Sequence, residues 1–158
     1  MEAARQATQA DLPAIAALVR AGIAELAPMR GGAVWHAQEA RREPIEEDLA
    51  RLLEDENVRL LVGTIDEAPV GYAVGRLERL ADGSLLGVVD DIFVDMEARG
   101  VGLGEAMMGD LIRWCQQAGC FGMDAMALPG HRLTKNFFEE SGFTARKIVM
   151  HHSLRPPA

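Results

Sequence analysis

Ile15, Leu18, Val19, Ile23 and Leu26 recur at intervals of three and four residues, the spacing that lines one side of a helix with apolar side chains. Thr8, with Asp11 three residues on, reads as a helix start. The pattern therefore predicts a first helix over 11–26, ended by Pro28 and the Gly31-Gly32 pair. A second apolar stripe, Ile45, Leu49, Leu52 and Leu53, follows Pro44, a residue suited to a first helical turn. Residues 33–42 between the two read as loop and short helix. The period then changes. Residues 59–65 form a buried-looking strand, Asp66-Glu67-Ala68-Pro69 a hairpin turn and 70–80 the returning strand. Ala81-Asp82-Gly83-Ser84 makes a second hairpin into a third strand over 85–94, which completes an antiparallel meander. Leu103, Met107, Leu111, Trp114 and Ala118 restore the helical period across a helix over 105–118, and Gly119 stops it. A strand over 121–128, a short helix over 133–141 and a last strand over 143–154 follow, with residues 5–8 as a short edge strand. The order β-α-α-β-β-β-α-β-α-β predicts an α/β fold with a central mixed sheet flanked by helices.

Composition narrows the class. A chain of 158 residues, 49 % hydrophobic and 25 % charged, is expected to fold as one domain over 1–158, with a frayed tail from about 155. Sixteen Lys and Arg against 24 Asp and Glu leave a net charge of −8, which argues against a phosphate-backbone partner and so against nucleic-acid binding. No apolar run approaches the roughly 20 residues that span a bilayer, and no apolar leader opens the chain, so no membrane role is expected. Cys115 and Cys120 have no metal-ligand spacing and no disulfide framework, which points to a reducing cytoplasm. His131, His151 and His152 read as surface or sheet histidines, and no metal is expected. Met107, Met123, Met126 and Met150 read as core filler.

The candidate chemistry lies between the third strand of the meander and the helix after it. There the chain reads Arg99-Gly100-Val101-Gly102-Leu103-Gly104. Strand, glycine-rich turn and helix start together make a phosphate cradle: the glycines let backbone approach an anion, and the N–H groups of the first helical turn point at it. A P-loop would end in Gly-Lys-Ser/Thr, whereas Gly104 is followed by Glu105-Ala106. A dinucleotide fingerprint would space its glycines unevenly in an early β-α-β unit, and these are evenly spaced and late. Glu105 reads as a first-turn acid that suits the helix dipole and brings only its N–H near a ligand.

Three stretches, taken in order, resemble the GNAT (Gcn5-related N-acetyltransferase) superfamily. They are the strand Asp90-Asp91-Ile92-Phe93-Val94 with its exit Asp95-Met96-Glu97-Ala98, the glycine motif, and Asn136-Phe137-Phe138-Glu139-Glu140-Ser141-Gly142-Phe143. The resemblance covers nearly the whole chain in element order. It implies a sheet splayed between its fourth and fifth strands, here 85–94 and 121–128, with acetyl-CoA in the gap as cosubstrate. It implies main-chain bonds to the pantetheine arm from Ile92, Phe93 and Val94. The pyrophosphate would sit on the N–H groups of Arg99, Gly100, Val101, Gly102, Leu103, Gly104 and Glu105, with Arg99 helping by charge or packing. Asn136 would reach cofactor amides, and Trp35 and His36 would lie in the segment that lines the acceptor pocket.

Aminolysis of a thioester needs a neutral amine, so a carboxylate near the reacting carbonyl can take the ammonium proton. By resemblance Asp90 is the first candidate and Asp91 the second; adjacent strand residues face opposite ways, so only one of them can point into the cleft. Both could instead cap or stabilise a bulge in the strand, and Glu78 on the neighbouring strand is a further candidate base. Phe138, counted with the cofactor-binding residues, departs from the family pattern. Many members carry there a tyrosine whose hydroxyl protonates the leaving thiolate. With a thiol pKa of roughly 8.5 the sulfur can leave without a strong acid, and water, Ser141 or a histidine could stand in. The resemblance thus implies an N-acetyltransferase acting by direct attack in a ternary complex, on a small-molecule or peptide amine, with a homodimer common among similar proteins. The alternative is a GNAT-like module that binds acyl-CoA without turnover.

Overall fold

Asp66 and Glu67 both have positive φ, 48° and 71°, the conformation a two-residue hairpin needs to match the twist of its strands. They join β2 (Val58–Ile65) to β3 (Ala68–Arg79), which turns again into β4 (Leu85–Val94). In the computed structural model, which describes residues 1–156, this meander is the middle of one sheet in the order β1-β2-β3-β4-β5. β1 (Glu2–Gln6) runs antiparallel to β2, and β5 (Gly122–Ala125) runs parallel to β4. The parallel pair requires a crossover, which α4 (Leu103–Ala118) supplies. The other helices are α1 (Leu12–Leu26), α2 (Gly32–Gln38), α3 (Ile45–Glu54) and α5 (Arg132–Glu140).

Alternation along the strands gives each face of the sheet its own core. Leu60, Val62, Tyr72 and Val74 meet Ile15 and Val19 of α1 and Ile45 and Leu49 of α3. Leu61, Ala73 and Val89 meet Leu103, Met107 and Leu111 of α4 on the opposite face. Each such fully buried aliphatic contributes roughly 1.5–3 kcal/mol. At the entry to α1 the Thr8 N–H donates to Asp11 Oδ2 at 2.8 Å, and Arg5 pairs with the same carboxylate at 2.7 and 2.9 Å. A short 3-10 turn, Gln9–Asp11, intervenes before the helix proper.

Several boundaries differ from the sequence reading. β1 lies at 2–6 rather than 5–8, because Thr8 and Asp11 are committed to the helix start. α4 begins at Leu103, since the left-handed Gly102 (φ 88°) caps it directly. β5 is four residues long instead of running over 121–128, and its pairing with β4 ends at Val89↔Ala125. The last strand is absent among the described residues: 143–156 carry no ladder, and Ile148, Val149, Met150 and Leu154 are 78–89 % exposed. Met126 (44 % exposed) and Met150 are therefore not core filler, while Met107 is fully buried. The tail expected to fray from 155 lies partly outside the described residues.

Candidate functional site

β4 outruns β5. Its last pairing with β5 is at Val89, and from Asp90 to Val94 it keeps only β3 as a neighbour. At that point the register with β3 slips. Asp91 faces Val74 and Val89 faces Gly75, so Asp90 is an extra, bulged residue. The bulge overrides the alternation expected of two adjacent aspartates. Val74 belongs to the core under α1 and α3, which places Asp91 on that side, and the Asp90 carboxylate reaches Arg76 Nε on the same side at 2.9 and 3.1 Å.

The two carboxylates have different surroundings. Asp91 accepts from Arg41 Nη2 at 2.6 Å, Arg41 Nε at 3.0 Å and the Tyr72 hydroxyl at 2.8 Å. Desolvation, with Asp91 alongside, drives the Tyr72 hydroxyl well above its ordinary pKa. Burial works against the Arg41 charge, but Asp91 and Asp48 hold its pKa above the ordinary value. Asp91 is thus the anchor that fixes Arg41 and Tyr72. Asp90 has one cation, Arg76, which it shares with Glu78. Loss of water around Asp90 raises its carboxyl above the usual aspartate value, against the pull of Arg76 and with help from Asp91. A carboxylate whose proton affinity is raised accepts a proton more readily, and Asp90 is not tied up in the Arg41 and Tyr72 bonds that occupy Asp91.

Beyond the bulge, the Asp95 N–H donates to Val70 O at 2.8 Å. Antiparallel alternation then turns the Phe93 main chain toward β3 and those of Ile92 and Val94 toward the open edge. The Val94 carbonyl is taken by Arg99 Nε at 2.9 Å. Arg99 turns back from the glycine turn: its Nη2 bonds the Glu25 carboxylate at 2.9 and 3.1 Å, and its guanidinium lies 5.5 Å from the Phe93 ring centre. Its side chain braces β4 against α1.

In the turn itself Gly100 and Gly102 have φ of 87° and 88°, a region open to glycine and strained for other residues. Gly104 answers to a close neighbour instead. A Cβ there would stand 3.1 Å from the Phe137 ring, so it admits α5 against α4. Val101 is 47 % exposed and Glu105 is exposed, whereas the Leu103 side chain is buried in the core. Ala106 makes the first helical bond, to Gly102 O at 3.0 Å, so the N–H groups of Leu103, Gly104 and Glu105 have no acceptor within α4. That is the donor set an anion needs.

A cavity of about 650 Å³ opens between the exits of β4 and β5. Arg30, Arg99, Arg132 and His131 line it against one acid, Glu25, so it is basic in a chain of net charge −8. His131 Nε2 lies 3.1 Å from Glu25 Oε2, and its Nδ1 meets the Thr134 hydroxyl. Glu25 on α1 therefore holds one residue from each side of the gap. Sequence reasoning missed Arg30 and Arg132 and read His131 as a surface or sheet histidine rather than a cavity residue. A signal was present: Pro129-Gly130-His131-Arg132 is also a strand exit, a turn and a helix start.

The late segment contributes differently from expectation. Asn136 is exposed on α5 and does not line the cavity. Phe138 is 7 % exposed and packs against the rings of Phe137 and Phe143, 5.8 and 5.7 Å away, so it belongs to the core rather than to a ligand surface. Cys115 is buried and its thiol is pushed up to about 12, by desolvation first and by Cys120 next, which leaves it a poor nucleophile. Among the described residues no helix is long and apolar enough to cross a membrane.

The acetyltransferase (GNAT) family model matches residues 23–143. No curated protein matches the sequence. Several solved structures share the fold at low identity. A mutant of the BH1408 protein from Bacillus halodurans is 19 % identical, with a TM-score of 0.81 over 96 % of this chain and 99 % of that one. AAC(6')-Iy in complex with the bisubstrate analog CoA-S-monomethyl-acetylneamine is 18 % identical, with a TM-score of 0.77 over 99 % of both chains. An aminoglycoside acetyltransferase from an uncultured soil metagenomic sample, in complex with sisomicin, is 18 % identical, with a TM-score of 0.72 over 99 % and 97 %. The chain belongs to the GNAT acetyltransferase family, and its sheet, parallel at β4 and β5 and open beyond Val89, is the fold those structures share.

Proposed function

We propose that this family member is a single-domain enzyme that moves an acetyl group from acetyl-CoA to an amine by direct attack in a ternary complex. The observation that carries the reading is the open edge of β4. It begins at the Asp90 bulge and leads, through Ile92 and Val94, to the unbonded N–H groups at the start of α4. These parts fit a long thioester cosubstrate with a diphosphate at its middle. The N–H groups of Leu103, Gly104 and Glu105 suit the diphosphate, the Ile92 main chain and the Val94 N–H suit the amides of the arm, and Arg30 and Arg132 suit further phosphate, while Arg99 braces β4 beside them. The cosubstrate supplies an activated acyl group on a thiol that leaves readily. Asp90 takes the proton of the incoming ammonium, directly or through water, and Asp91 keeps Arg41 and Tyr72 in place beside it.

The acceptor is a small-molecule or peptide amine. Two of the structural neighbours carry an aminoglycoside or an aminoglycoside-derived analog, and the net charge of −8 favours a cationic acceptor. The two free thiols fit a reducing cytoplasm. One observation favours a second reading, in which the domain holds acyl-CoA without turning it over: Phe138 brings no proton donor to the position where a tyrosine hydroxyl is expected.

Steady-state CoA release from acetyl-CoA across a panel of aminoglycosides, polyamines and peptide N-termini decides between them. Turnover with at least one amine supports the enzyme. Tight acetyl-CoA binding with no turnover across the panel supports the module. Gly102→Glu puts a side chain on a left-handed residue and a negative charge at the cradle, so it is expected to weaken acetyl-CoA binding at least about tenfold. Unchanged binding would remove the cradle assignment.

A further inference from the structure

β3 aims Arg76 at Asp90. A Cβ on Gly75 would meet Leu111 and Trp114 of α4, so Gly75 looks to that side of the sheet and Arg76, next along the strand, looks to the other. Across the ladder Arg76 stands opposite Val88, two residues before the bulge. Its guanidinium reaches the bulged carboxylate: Nε donates to Asp90 Oδ2 at 2.9 Å and to Oδ1 at 3.1 Å. Its Nη1 donates to Glu78 Oε1 at 3.0 Å. One cation thus links two carboxylates.

The other charged groups on this side of the sheet have partners of their own. Asp91 is bonded by Arg41 and Tyr72, and Arg41 is backed by Asp48. Asp124 on β5, opposite Val88, is paired with Arg146, with Lys147 close by. Among the described residues Arg76 is the cation bonded to Asp90. Burial works against the Arg76 charge, but Glu78 and Asp90 hold its pKa above the ordinary value, so it is a permanent cation. Its Nε spends a single N–H on Asp90. An ionised carboxylate has about four acceptor positions, so Asp90 keeps room for a second donor. The Glu78 bond takes part of the same positive charge, and at Asp90 the loss of water outweighs what Arg76 supplies.

We propose that Arg76 is a positioning residue for Asp90: it holds the carboxylate toward the cleft, and Glu78, by claiming Nη1 of the same guanidinium, sets how much of that positive charge Asp90 receives. In the proton transfer an N–H bond of the acceptor ammonium breaks as an O–H bond forms on Asp90, and the electron pair stays on the amine nitrogen. Arg76, now beside a neutral carboxyl, keeps Glu78 as its counter-charge. A guanidinium bonded to Asp90 alone would make that carboxylate a weaker base. With no guanidinium there, Asp90 would hold its proton to higher pH and lose its fixed direction. The kinetic consequence rests on Asp90 as the proton acceptor; the ionisation of Asp90 is a property of the free chain.

Carbon-13 NMR titration of the Asp90 carboxyl in the ligand-free full chain reads that ionisation, with the resonance assigned by its absence in Asp90→Asn. Arg76→Gln is expected to raise the midpoint by about one pH unit or more, and Glu78→Gln to lower it by about half a unit. Once residue 76 is Gln, adding Glu78→Gln should move the midpoint by less than about 0.2 unit, because Glu78 acts through Arg76. Arg76→Lys should return the midpoint toward the parent value yet leave kcat on its high-pH plateau about tenfold down, since a point charge replaces the planar fork. In CoA-release assays the acidic limb of kcat should follow the NMR midpoint in each variant. The Arg76 and Glu78 side chains are 39 and 43 % exposed, so far-UV circular dichroism should be unchanged, and Glu78→Gln carries the sign even where Arg76→Gln disturbs the strand. Midpoints that stay put, or that move the same way in the two single variants, overturn the proposal. An effect of Glu78→Gln that survives in the double variant overturns it equally. Midpoints that move as expected while the limb of kcat stays fixed support the role of Arg76 and Glu78, and overturn instead the reading of Asp90 as the proton acceptor.

Discussion

From Leu86 to Val89, β4 bonds β3 on one side and β5 on the other, and it packs tightly enough that Gly87 has Cys115 Sγ where a Cβ would be. From Asp90 to Val94 the same strand keeps β3 alone, every residue is at least partly exposed, and its polar atoms are committed to Arg76, Arg41, Tyr72 and Arg99. One inserted residue separates the halves. The bulge at Asp90 loses little of the ladder, yet it turns two carboxylates to one face and marks where the β5 edge departs. A stability element becomes a binding element within a single strand, because pairing on both edges fills the main-chain bonds and pairing on one leaves them for a ligand.

The largest test of this division is Asp90→Asn. If the open half carries the chemistry, kcat should fall about 10²–10⁴-fold while acetyl-CoA affinity changes by less than about twofold. Stability should change by less than about 1 kcal/mol, since the Arg76 pair is part-exposed and Arg76 keeps Glu78. The sign of the pH effect follows from the raised pKa. Asp90 must be ionised to accept a proton, so kcat in the parent chain should rise with pH through an ionisation above the ordinary aspartate value of 3.8, and Asn should remove that step. A residual step of the same height in the variant would assign it to the acceptor amine instead.

Gly87→Val examines the paired half. Its Cβ would sit 2.4 Å from the buried Cys115 Sγ and 3.2 Å from Cγ of Met123, which is half-buried against the core. The expected cost is about 2–3 kcal/mol, or about 5–10 °C in Tm, with acetyl-CoA affinity per folded molecule unchanged. Adding Cys115→Ala should recover part of it, since the two sites touch. If Gly87→Val instead leaves the Tm alone and abolishes binding, the two halves are not separable in this way.

The legible part of this molecule was its local periodicity. The stripes of α1, α3 and α4, the meander and the boundaries of β4 were readable because each is dictated by residues close in sequence. The Arg99 to Gly104 turn was legible as a turn, and Gly100 and Gly102 do take left-handed backbone; Gly104 turned out to answer to Phe137, thirty-three residues on. A bulge at Asp90 and Asp91 was a readable alternative, but its effect on direction was not: period-two reasoning assumes that alternation is never interrupted, so the two look like neighbours facing apart. β5 and the strand expected at 143–154 failed for a shared reason: a strand is defined by its partner, and the pattern of Ile148, Val149 and Met150 says only that one is wanted. Arg30, Arg132 and His131 escaped because two segments far apart in sequence, the turn after α1 and the start of α5, bring them to one cavity.

Asp11 gives the smallest and sharpest contrast, since it is the same residue type displaced in the opposite direction. Asp11 lies outside the cleft, 8 % exposed, bonded by Arg5 and by the Thr8 N–H. Arg5 above all holds its carboxyl at about 2, below the ordinary 3.8. A depressed pKa contributes stability that is fully present above the unfolded value and lost as pH falls through the folded one. Asp11→Asn should therefore cost about 1–2 kcal/mol near neutrality, a figure reduced for the half-exposed Arg5, and the gap between parent and variant should close from about pH 4 down to about pH 2. Urea unfolding across that range measures it. A gap that persists unchanged at pH 2 would mean the site is held by packing and neutral hydrogen bonds. A gap that closes sets the structural aspartate apart from Asp90: one is held charged by a partner that never leaves, the other stands on the open half of β4, closer to taking a proton.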